Sequence, residues 1–359
     1  MDSVATSLQE KELFQIVREE STPRSSLYDD LQSAFGSKHD LSHFVWLRDN
    51  NIENSIRITS DYIGIASRDR LNNVKRINKF LEFLNRSIHI DQSILICVET
   101  MESRRVRILN KYPFPVNYPY YFMDFVLKRC FPKLKFTRKI YFHLTKGRNR
   151  VVSFTEMLGR LYSCGFTVQD HIRIGYLTYF IATKVDKPAY DMEPTYGSIV
   201  KLRRVGHQGK IIKVYKLRTM HPYSEYIQGY VFDKNNLEEG GKLKDDFRLT
   251  SWGKVMRKYW LDEVPMFINL LKGDMKLVGV RPLSQHFFGL YPEDMQNLRI
   301  QFKPGLIPPY YADMPNGLDE VIESERRYLL AYQKSPILTD IKYFFKAGQN
   351  ILFGKARSK

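Results

Sequence analysis

Two adjacent acidic residues, Asp262 and Glu263, stand where carboxylates could do chemistry. They lie between a segment rich in aromatic residues and the apolar run 266–271, just before Pro265. Neighbouring side chains on a helical turn point about 100° apart, so one carboxylate can attack a substrate while the other holds a metal ion. An isolated acidic pair usually lies on a solvated face, but carboxylates seldom sit between apolar segments without partners. The pattern therefore predicts a candidate catalytic pair.

Basic residues that could hold a phosphate group accompany this pair: Lys216, Arg218, Arg257 and Arg281. Lys216 and Arg218 are two positions apart on a predicted strand, so they point the same way and could share one phosphate. On these two residues alone, a solvated sheet face is the simpler interpretation. Arg281 stands between Gly279 and Pro282, and this stiff, tight backbone suits a bidentate grip on phosphate. A structural ion pair would use the same geometry.

The segments that carry these residues have local signals of their own. The turn 206–209 lies between two strand-like runs and predicts a hairpin, with Lys216 and Arg218 on its second strand. Ser251 is placed to cap a helix that includes Arg257. The apolar side of that helix is predicted to carry Val255, Met256, Tyr259 and Trp260. The stretch 223–246, with two successive glycines, is interpreted as a mobile loop able to close over a substrate.

Before residue 187 the pattern alternates between helix and strand. Ser153 and Glu156 form a capping box that opens a helix through Tyr162, and Gly165 is placed to end it. The other predicted elements are a helix over 73–86 and strands over 93–98, 138–144, 166–168 and 177–184. Helices that alternate with apolar strands indicate an α/β layer structure.

The composition limits the class of protein and its partners. The chain has 359 residues and a formal net charge of +17, which favours anionic partners: nucleic acid, phosphorylated small molecules or an acidic membrane surface. No basic aromatic platform or recognition helix predicts nucleic-acid binding. The three cysteines lie far apart, which excludes a disulfide scaffold and a CxxC metal site. No run approaches the roughly 18–20 apolar residues of a spanning helix, and no secretory signal is visible, so a cytoplasmic location is expected.

The length predicts two domains, because one hydrophobic core seldom grows beyond roughly 250–300 residues. The stretch 187–196 contains Pro188 and Pro194 and is typical of a linker. We therefore predict an α/β domain over 1–186, a linker over 187–196 and a second domain over 197–359.

Six segments of the second half occur in the order found in one enzyme family. They are Arg204-Val-Gly-His-Gln-Gly-Lys, Tyr215-Lys-Leu-Arg-Thr-Met, Arg248-Leu-Thr-Ser-Trp-Gly, Leu261-Asp-Glu-Val-Pro, Asn269-Leu-Leu-Lys-Gly-Asp-Met-Lys-Leu-Val-Gly-Val-Arg-Pro and Lys303-Pro-Gly-Leu. Across residues 196–310 the chain thus resembles the bacterial sugar transferases, which are monotopic phosphoglycosyl transferases. These enzymes move a sugar-1-phosphate from a nucleotide sugar to a polyprenyl phosphate.

The resemblance implies an α+β catalytic domain and a role for each matching residue. Asp262 is implied as the nucleophile, which forms a covalent aspartyl-phosphosugar and releases a nucleoside monophosphate. Glu263 is implied as a ligand of Mg²⁺, and Arg281 as a phosphate-binding residue. The implied partners are a nucleotide-diphosphate sugar, polyprenyl phosphate and the inner face of the cytoplasmic membrane. The implied process is the initiation of a surface polysaccharide or glycoconjugate.

The chain departs from the family pattern at several places. The residues 172–185 are interpreted as strands, where the family has a re-entrant membrane helix. Val280 replaces the first proline of Pro-Arg-Pro, Met266 replaces a common glutamine, and 307–309 are Ile-Pro-Pro where Thr-Gly is usual. A peripheral attachment is therefore expected. The basic, aromatic tail 338–359 is a candidate for it, lying either in the membrane interface or packed on its own domain.

The first half loosely resembles the later part of the class I methyltransferase fold, a Rossmann-like α/β fold, through its strand 94–99, the helix from Ser153 and the closing strand pair. Residues 1–60 hold a single glycine, Gly36, and no G-x-G turn, so binding of S-adenosylmethionine is not expected. Two alternatives to a phosphoglycosyl transferase stay open. They are a non-catalytic scaffold or regulator of polysaccharide assembly and, third, a methyltransferase that uses S-adenosylmethionine.

Overall fold

The structure is a computed structural model that describes residues 25–47, 62–190, 196–235 and 246–353. The chain forms two compact units. The first comprises Met1–Tyr196 together with Pro222–Tyr230, and the second comprises Gly197–His221 together with Val231–Lys359.

A mixed five-stranded sheet forms the centre of the first unit. Its strands are β1 Phe44–Leu47, β2 Gly64–Arg70, β3 Ser93–Val98, β4 Phe166–Ile174 and β5 Leu177–Lys184. The strand order is β1-β2-β3-β5-β4; β1, β2 and β3 are parallel, and β5 is antiparallel to both of its neighbours. β3 is a continuous apolar run because both of its faces are covered. The predicted α/β class and the predicted closing strand pair are confirmed.

Six α-helices of the first unit lie within the described residues, and the one that begins at Ser25 packs Leu31 and Phe35 against the sheet. The six are α1 Ser25–Phe35, α2 Ile77–Ser87, α3 Met101–Lys111, α4 Asn117–Phe125, α5 Lys135–Thr145 and α6 Phe154–Ser163. The predicted capping box is present, because the Ser153 side chain accepts a hydrogen bond from the backbone N–H of Glu156. Gly165 follows the helix with a φ of +81°, as a helix-ending glycine does. The predicted strand over 138–144 is wrong: these residues lie in α5, where apolar residues recur every four positions.

A buried ionic cluster holds α6 in the first unit. Burial alone would raise the pKa of the Glu156 carboxyl, but Lys133, Arg129 and Arg160 together hold it well below its usual range. Arg160 Nη2 donates to Glu156 Oε1 over 2.9 Å, and Lys133 Nζ lies 3.4 Å from Oε2. Removing one partner of such a cluster leaves uncompensated buried charge and strongly destabilises a fold.

Two small sheets organise the second unit. The hairpin of β6 Ile199–Val205 and β7 Ile211–Leu217 is antiparallel and turns at 206–209, which confirms the predicted hairpin. β8 Lys276–Val278 and β9 Gly305–Ile307 are parallel. The helices from residue 228 onwards are α7 Gln228–Asn235, α8 Ser251–Lys258, α9 Phe267–Leu271, α10 Gln285–Gly289, α11 Glu293–Ile300, α12 Tyr310–Asp313, α13 Leu318–Lys334 and α14 Pro336–Leu352.

Close backbone approach joins β8 to β9. A Cβ atom on Gly305 would lie 2.1 Å from the backbone N of Gly279, so only glycine fits there. The backbone N–H of Gly305 donates to the carbonyl of Val280 over 2.9 Å. The chain immediately before Arg281 is therefore held in a fixed position.

Two local predictions for the second half need correction. α8 is capped by Thr250, whose side chain accepts from the N–H of Gly253, and Ser251 is its first helical residue. The predicted apolar side of α8 is largely solvent-exposed, because Val255 and Tyr259 are exposed in the folded chain. The described part of the predicted loop 223–246 is helical instead, over Ser224–Ile227 and α7. Residues 236–245 of that stretch lie outside the described residues.

The segments considered for membrane contact have defined structures. Among the described helices, none combines the length and the apolar character that a membrane crossing requires. Residues 172–185 are strand, as predicted. In the tail, α14 packs Thr339 and Ala347 inward, as predicted for a helix on its own domain, and leaves Phe345 and Leu352 exposed. Residues 354–359 lie outside the described residues.

Candidate active site

The acidic pair lies on the 3-10 turn Leu261–Met266, between α8 and α9. Trp260 precedes this turn with a φ of 53°, a left-handed conformation that a bulky residue seldom adopts. This reversal separates α8 from the turn and directs the two carboxylates differently. Asp262 is buried, whereas Glu263 is only partly covered.

The carboxylate of Asp262 is buried without its full set of partners. The residue is 6% exposed, and its Oδ1 has no hydrogen-bond partner within the described ranges. Burial raises the pKa of this carboxyl, and Glu263 adds to the rise, while Lys216 and Arg257 oppose it. The environment as a whole therefore disfavours the charged form. A carboxylate held in this way is reactive, because water and hydrogen bonds do not stabilise its negative charge.

Glu263 is paired with a cation from the hairpin. Lys216 Nζ donates to Glu263 Oε1 over 2.6 Å, and both side chains are mostly covered. Lys216 lies on β7, so the hairpin brings a positive charge to the acidic pair. The same charge lowers the pKa of Asp262.

Asn269 positions β7 against the acidic turn. Its side chain is fully buried, donates to the carbonyl of Lys213 over 2.9 Å and accepts from the N–H of Tyr215 over 3.0 Å. These two bonds take the place of the backbone hydrogen bonds that a neighbouring strand would make with β7, and they connect α9 to β7. Sequence analysis quoted Asn269 within a motif but assigned it no role, because its partners are more than fifty positions away.

Arg257 reaches the site from α8. Its Nε donates to Thr219 Oγ1 over 3.1 Å. Burial lowers the pKa of Arg257, while Asp262 raises it and Arg281 lowers it, so both charges lie within its electrostatic reach. α8 can approach Thr219 this closely because Gly253 has no side chain: a Cβ there would lie 2.0 Å from the Thr219 carbonyl oxygen.

Arg281 presents its guanidinium at the open side of the site. Nη1 donates to Tyr310 Oη over 2.9 Å, and the residue is exposed. Tyr310 first, and Tyr311 and Glu263 after it, raise the pKa of Arg281 against the effect of burial. The Arg281 carbonyl accepts from Arg299, which pairs with the buried Glu325. The backbone is thus anchored while the side chain stays accessible.

Three further residues belong to this neighbourhood. Trp260 Nε1 donates to Tyr311 Oη over 3.1 Å, and burial raises the pKa of Tyr311. Burial and the charge of Arg281 lower the pKa of Arg204. None of Tyr310, Tyr311 and Arg204 is predicted as a site residue from the sequence. The available signal was the Ile-Pro-Pro departure at 307–309, which directly precedes the two tyrosines.

Lys216 and Arg218 make different hydrogen bonds. Lys216 pairs with Glu263, whereas Arg218 Nε donates to the carbonyl of Gly197 over 2.7 Å. Of the six predicted site residues, Lys216 and Glu263 form an ion pair, and Asp262, Arg257 and Arg281 are related to them through the electrostatic effects described above. Arg218 is engaged instead with the residues that lead into β6.

A magnesium ion would find a small donor set here. Over the described residues, no group of three or more His, Cys, Asp and Glu side chains could hold a metal ion. Mg²⁺, however, usually keeps several waters and takes one or two carboxylates together with substrate phosphates. The partly covered carboxylate of Glu263 provides an oxygen donor of that kind, so the residues fit a magnesium ion that arrives with a phosphate substrate.

An apolar margin surrounds the acidic turn. Leu261, Val264 and Phe267 are exposed, and Leu271 is 90% exposed. On α8, Trp252 is 72% exposed. The arrangement therefore joins a reactive carboxylate, accessible cations and uncovered apolar surface. It can bind an anionic diphosphate and, beside it, a molecule with a long apolar chain.

Comparison with protein families matches residues 177–354 to the family described as bacterial sugar transferase. Among curated relatives, the galactosyl transferase CpsE of Streptococcus agalactiae is 34% identical over 161 residues, which are 44% of this chain and 35% of the relative. The undecaprenyl-phosphate galactose phosphotransferase of Salmonella typhimurium is 33% identical over 157 residues, which are 42% of this chain and 32% of the relative. The chain thus spans about a third of the length of these relatives.

A solved structure is similar to part of the chain. An O-methyltransferase family protein from Burkholderia thailandensis aligns with a TM-score of 0.21 and 16% identity, over 34% of this chain and 30% of that protein. A TM-score this low carries no argument about either fold or activity. Binding of S-adenosylmethionine therefore gains no support from it.

Proposed function

Because the C-terminal half of this chain belongs to the bacterial sugar transferase family, we propose that the protein transfers a sugar-1-phosphate from a nucleotide-diphosphate sugar to a polyprenyl phosphate. The observation that carries this proposal is the buried Asp262, whose Oδ1 lacks a hydrogen-bond partner within the described ranges. Buried polar atoms almost always have a hydrogen-bond partner, and the exceptions concentrate at sites that bind or react with a substrate. The reaction begins the assembly of a surface polysaccharide or glycoconjugate.

In the first step, Asp262 Oδ1 attacks the phosphorus that carries the sugar. The new bond is an acyl phosphate, and the bond that breaks is the one from this phosphorus to the oxygen bridging the two phosphates. The nucleoside monophosphate leaves with that oxygen. Dividing one difficult transfer into two displacements is the general advantage of a covalent intermediate.

In the second step, an oxygen of the polyprenyl phosphate attacks the same phosphorus. The acyl phosphate bond breaks, the carboxylate of Asp262 is restored, and the product is a polyprenyl diphosphate that carries the sugar. Two anions meet in each step, so fixed positive groups are needed to make the approach favourable.

The cations of the site supply that stabilisation. Arg281, with its exposed guanidinium, binds oxygens of the diphosphate, and Arg257 stands close enough to act on both Asp262 and Arg281. Lys216 holds Glu263 and keeps the pKa of Asp262 from rising further, so more of the carboxylate is ionised and nucleophilic. Arg218 supports the hairpin through its bond to the Gly197 carbonyl.

Glu263 is the residue that would hold Mg²⁺ together with the diphosphate substrate. When bound, the ion would supply positive charge that neutralises the phosphates. Lys216 holds the Glu263 carboxylate in place through its bond to Oε1.

The lipid acceptor is supported by the apolar margin of the site. Phe267 and Leu271 expose large apolar side chains next to the acidic turn, where a polyprenyl chain would otherwise meet water. We place the protein at the inner face of the cytoplasmic membrane as a peripheral enzyme. The exposed apolar residues of α14 are a candidate contact with that membrane.

We also propose the domain layout on which this assignment rests. An α/β domain occupies 1–186, a linker follows over 187–196, and the catalytic domain occupies 197–359. The division of compact units between Tyr196 and Gly197 supports this layout. Pro222–Tyr230, although within 197–359, belongs to the first compact unit.

The test is release of nucleoside monophosphate by the purified full chain. A panel of nucleotide sugars is incubated with Mg²⁺, with and without polyprenyl phosphate. The wild type should release monophosphate with one or more of these sugars, and Asp262→Asn should lower the rate by at least about a thousandfold, as loss of a nucleophile does. Asp294→Asn on α11 is the matched control, because Asp294 is a surface residue whose partner is Arg326.

The outcomes separate the candidate functions. Activity in the control and none in Asp262→Asn supports the transferase. Equal activity in both variants contradicts a role for Asp262 as the nucleophile. No release from any sugar by a folded wild type contradicts the transferase itself and favours the scaffold.

A further inference from the structure

The first unit carries an apolar stripe on the solvent side of α5. Phe136 is 92% exposed, Ile140 is 62% exposed and Leu144 is 75% exposed. The spacing of four residues places these side chains on one face of the helix. Tyr141 lies on the other face and is buried in the unit. This helix is therefore unusual for an amphipathic helix, because part of its apolar side faces the solvent instead of the core.

The residues before α5 continue this pattern. Phe114 and Val116 precede α4 and are exposed, and Tyr118, Phe122 and Met123 are exposed along α4 itself. Tyr118 and Phe122 are again four positions apart. A soluble monomer rarely leaves so many large apolar side chains uncovered in one short segment. We name the exposed side chains of residues 111–148 the 111–148 surface.

The same segment is strongly basic. Residues 111–148 contain nine Lys and Arg and one acidic residue, Asp124, for a net charge of 9 − 1 = +8. Asp124 is already paired with Arg104, so it does not offset the exposed cations. Arg138 and Lys139 are exposed on α5, and Lys139, three positions after Phe136, lies next to the apolar stripe. The segment thus contributes about half of the +17 carried by the whole chain.

We infer that the 111–148 surface binds an anionic phospholipid bilayer. A helix with Phe, Ile and Leu on one side and Lys and Arg beside them lies in the interface, with its apolar side chains among the acyl chains and its cations among the anionic head groups. The positive charge of this surface disfavours two other partners, a second copy of this chain and a different protein. Arg129 and Lys133 of this segment are already paired with the buried Glu156. The exposed cations are Lys111, Arg138, Lys139, Lys146 and Arg148, and a second copy would bring the same positive charges against them. The core of a protein interface, in turn, is depleted in lysine.

The inference concerns residues outside the acidic pair and its cations. It holds whether or not Asp262 is a nucleophile, and its measurement is membrane binding instead of catalysis. It assigns the first unit a role as a membrane-attachment module, in addition to any contact made by α14.

The test is sedimentation of the purified full chain with sucrose-loaded vesicles. Vesicles of phosphatidylglycerol and phosphatidylethanolamine should bind the protein, and vesicles of phosphatidylcholine alone should bind it at least about tenfold more weakly. Binding should weaken as salt rises, because the head-group attraction is screened. The triple variant Phe136→Ser, Ile140→Ser and Leu144→Ser should lose at least about tenfold in partition coefficient.

A matched variant controls for the general loss of apolar surface. Ile63→Ser, Ile90→Ser and Val185→Ser remove three exposed apolar side chains of the same unit that lie outside 111–148, and should bind as the wild type does. The double variant Arg138→Gln and Lys139→Gln should weaken binding to anionic vesicles by about tenfold at low salt. Far-ultraviolet circular dichroism of each variant confirms folding, which exposed substitutions leave intact.

Asp262→Asn should bind vesicles as the wild type does, so a failure of the proposed catalysis stays distinguishable from a failure of this inference. Wild-type binding by the α5 triple variant would overturn the inference. So would a wild-type dimer in sedimentation velocity that the triple variant converts to a monomer without a change in vesicle binding, because the surface would then join two copies of this chain.

Discussion

Replacing Asp262 by asparagine should stabilise the folded chain at neutral pH while it removes transfer. Burial raises the pKa of this carboxyl above its ordinary value of 3.8, even though Lys216 and Arg257 lie near enough to oppose the rise. A raised pKa means that the folded state holds this proton more tightly than the unfolded state does. The stability that the group contributes is therefore complete at low pH and is lost as the pH rises through the folded pKa.

The size of the gain follows from the burial of one unpaired oxygen. A buried polar atom without a partner costs about 1–3 kcal/mol, and a charged one costs more. Asparagine removes the charge but still buries an amide, so we expect a gain of about 1 kcal/mol at pH 7. For a domain of the length of the second unit, this corresponds to a rise of about 2–4 °C in Tm.

The assay is thermal unfolding of the wild type and of Asp262→Asn between pH 3 and pH 8. The two proteins should melt together below the ordinary pKa of 3.8, and the variant should gain as the pH rises. Asp294→Asn should instead melt below the wild type as the pH rises, because the hydrogen bond from Arg326 lowers the pKa of Asp294. A variant Asp262→Asn that melts below the wild type at pH 7 would refute the reasoning, since Asp262 would then be a stabilised structural ion.

Further predictions follow from the same contacts. Lys216→Met should move the acid limb of the pH–rate profile to higher pH, because the positive charge of Lys216 lowers the pKa of Asp262. An acid limb at the wild-type pH would contradict this effect of Lys216 on Asp262. Asn269→Leu should lower the stability by about 2 kcal/mol, measured by urea unfolding, because two backbone groups of β7 lose their partner. Gly253→Ala should destabilise by about 1–3 kcal/mol in the same assay, because its Cβ would lie 2.0 Å from a carbonyl oxygen. Gly348→Ala in α14, with open space around its Cβ, should instead stabilise by about 0.5–1 kcal/mol.

Several predictions that rest on near neighbours in the chain are confirmed in the fold. The capping box of Ser153 and the apolar strand Ser93–Val98 use residues within one or two turns of each other, and both are present. The strand predicted over 138–144 failed for a physical reason. Its apolar residues Ile140 and Leu144 are exposed to solvent. An apolar pattern alone does not reveal whether the apolar side of a segment is buried in the protein.

The residues of the candidate site were predicted better than the contacts between them. The acidic pair and its cations were found from residue type and order, but their pairing was not. The sequence allows Lys216 to share a phosphate with Arg218 but favours a solvated sheet face for the two alone. In the structure Lys216 contacts Glu263, which is 47 positions away. Tyr310 was not anticipated because its contact with Arg281 depends on how β8 and β9 bring distant segments together.

The central claim is that Asp262 becomes bonded to phosphorus during turnover. The direct measurement is rapid acid quenching of the enzyme with a nucleotide sugar and no lipid acceptor, followed by peptide mass spectrometry. We predict a sugar-phosphate adduct on the peptide that contains Asp262, its disappearance when polyprenyl phosphate is added, and its absence from Asp262→Asn. Release of nucleoside monophosphate without any adduct, or an adduct that persists in Asp262→Asn, would contradict the account.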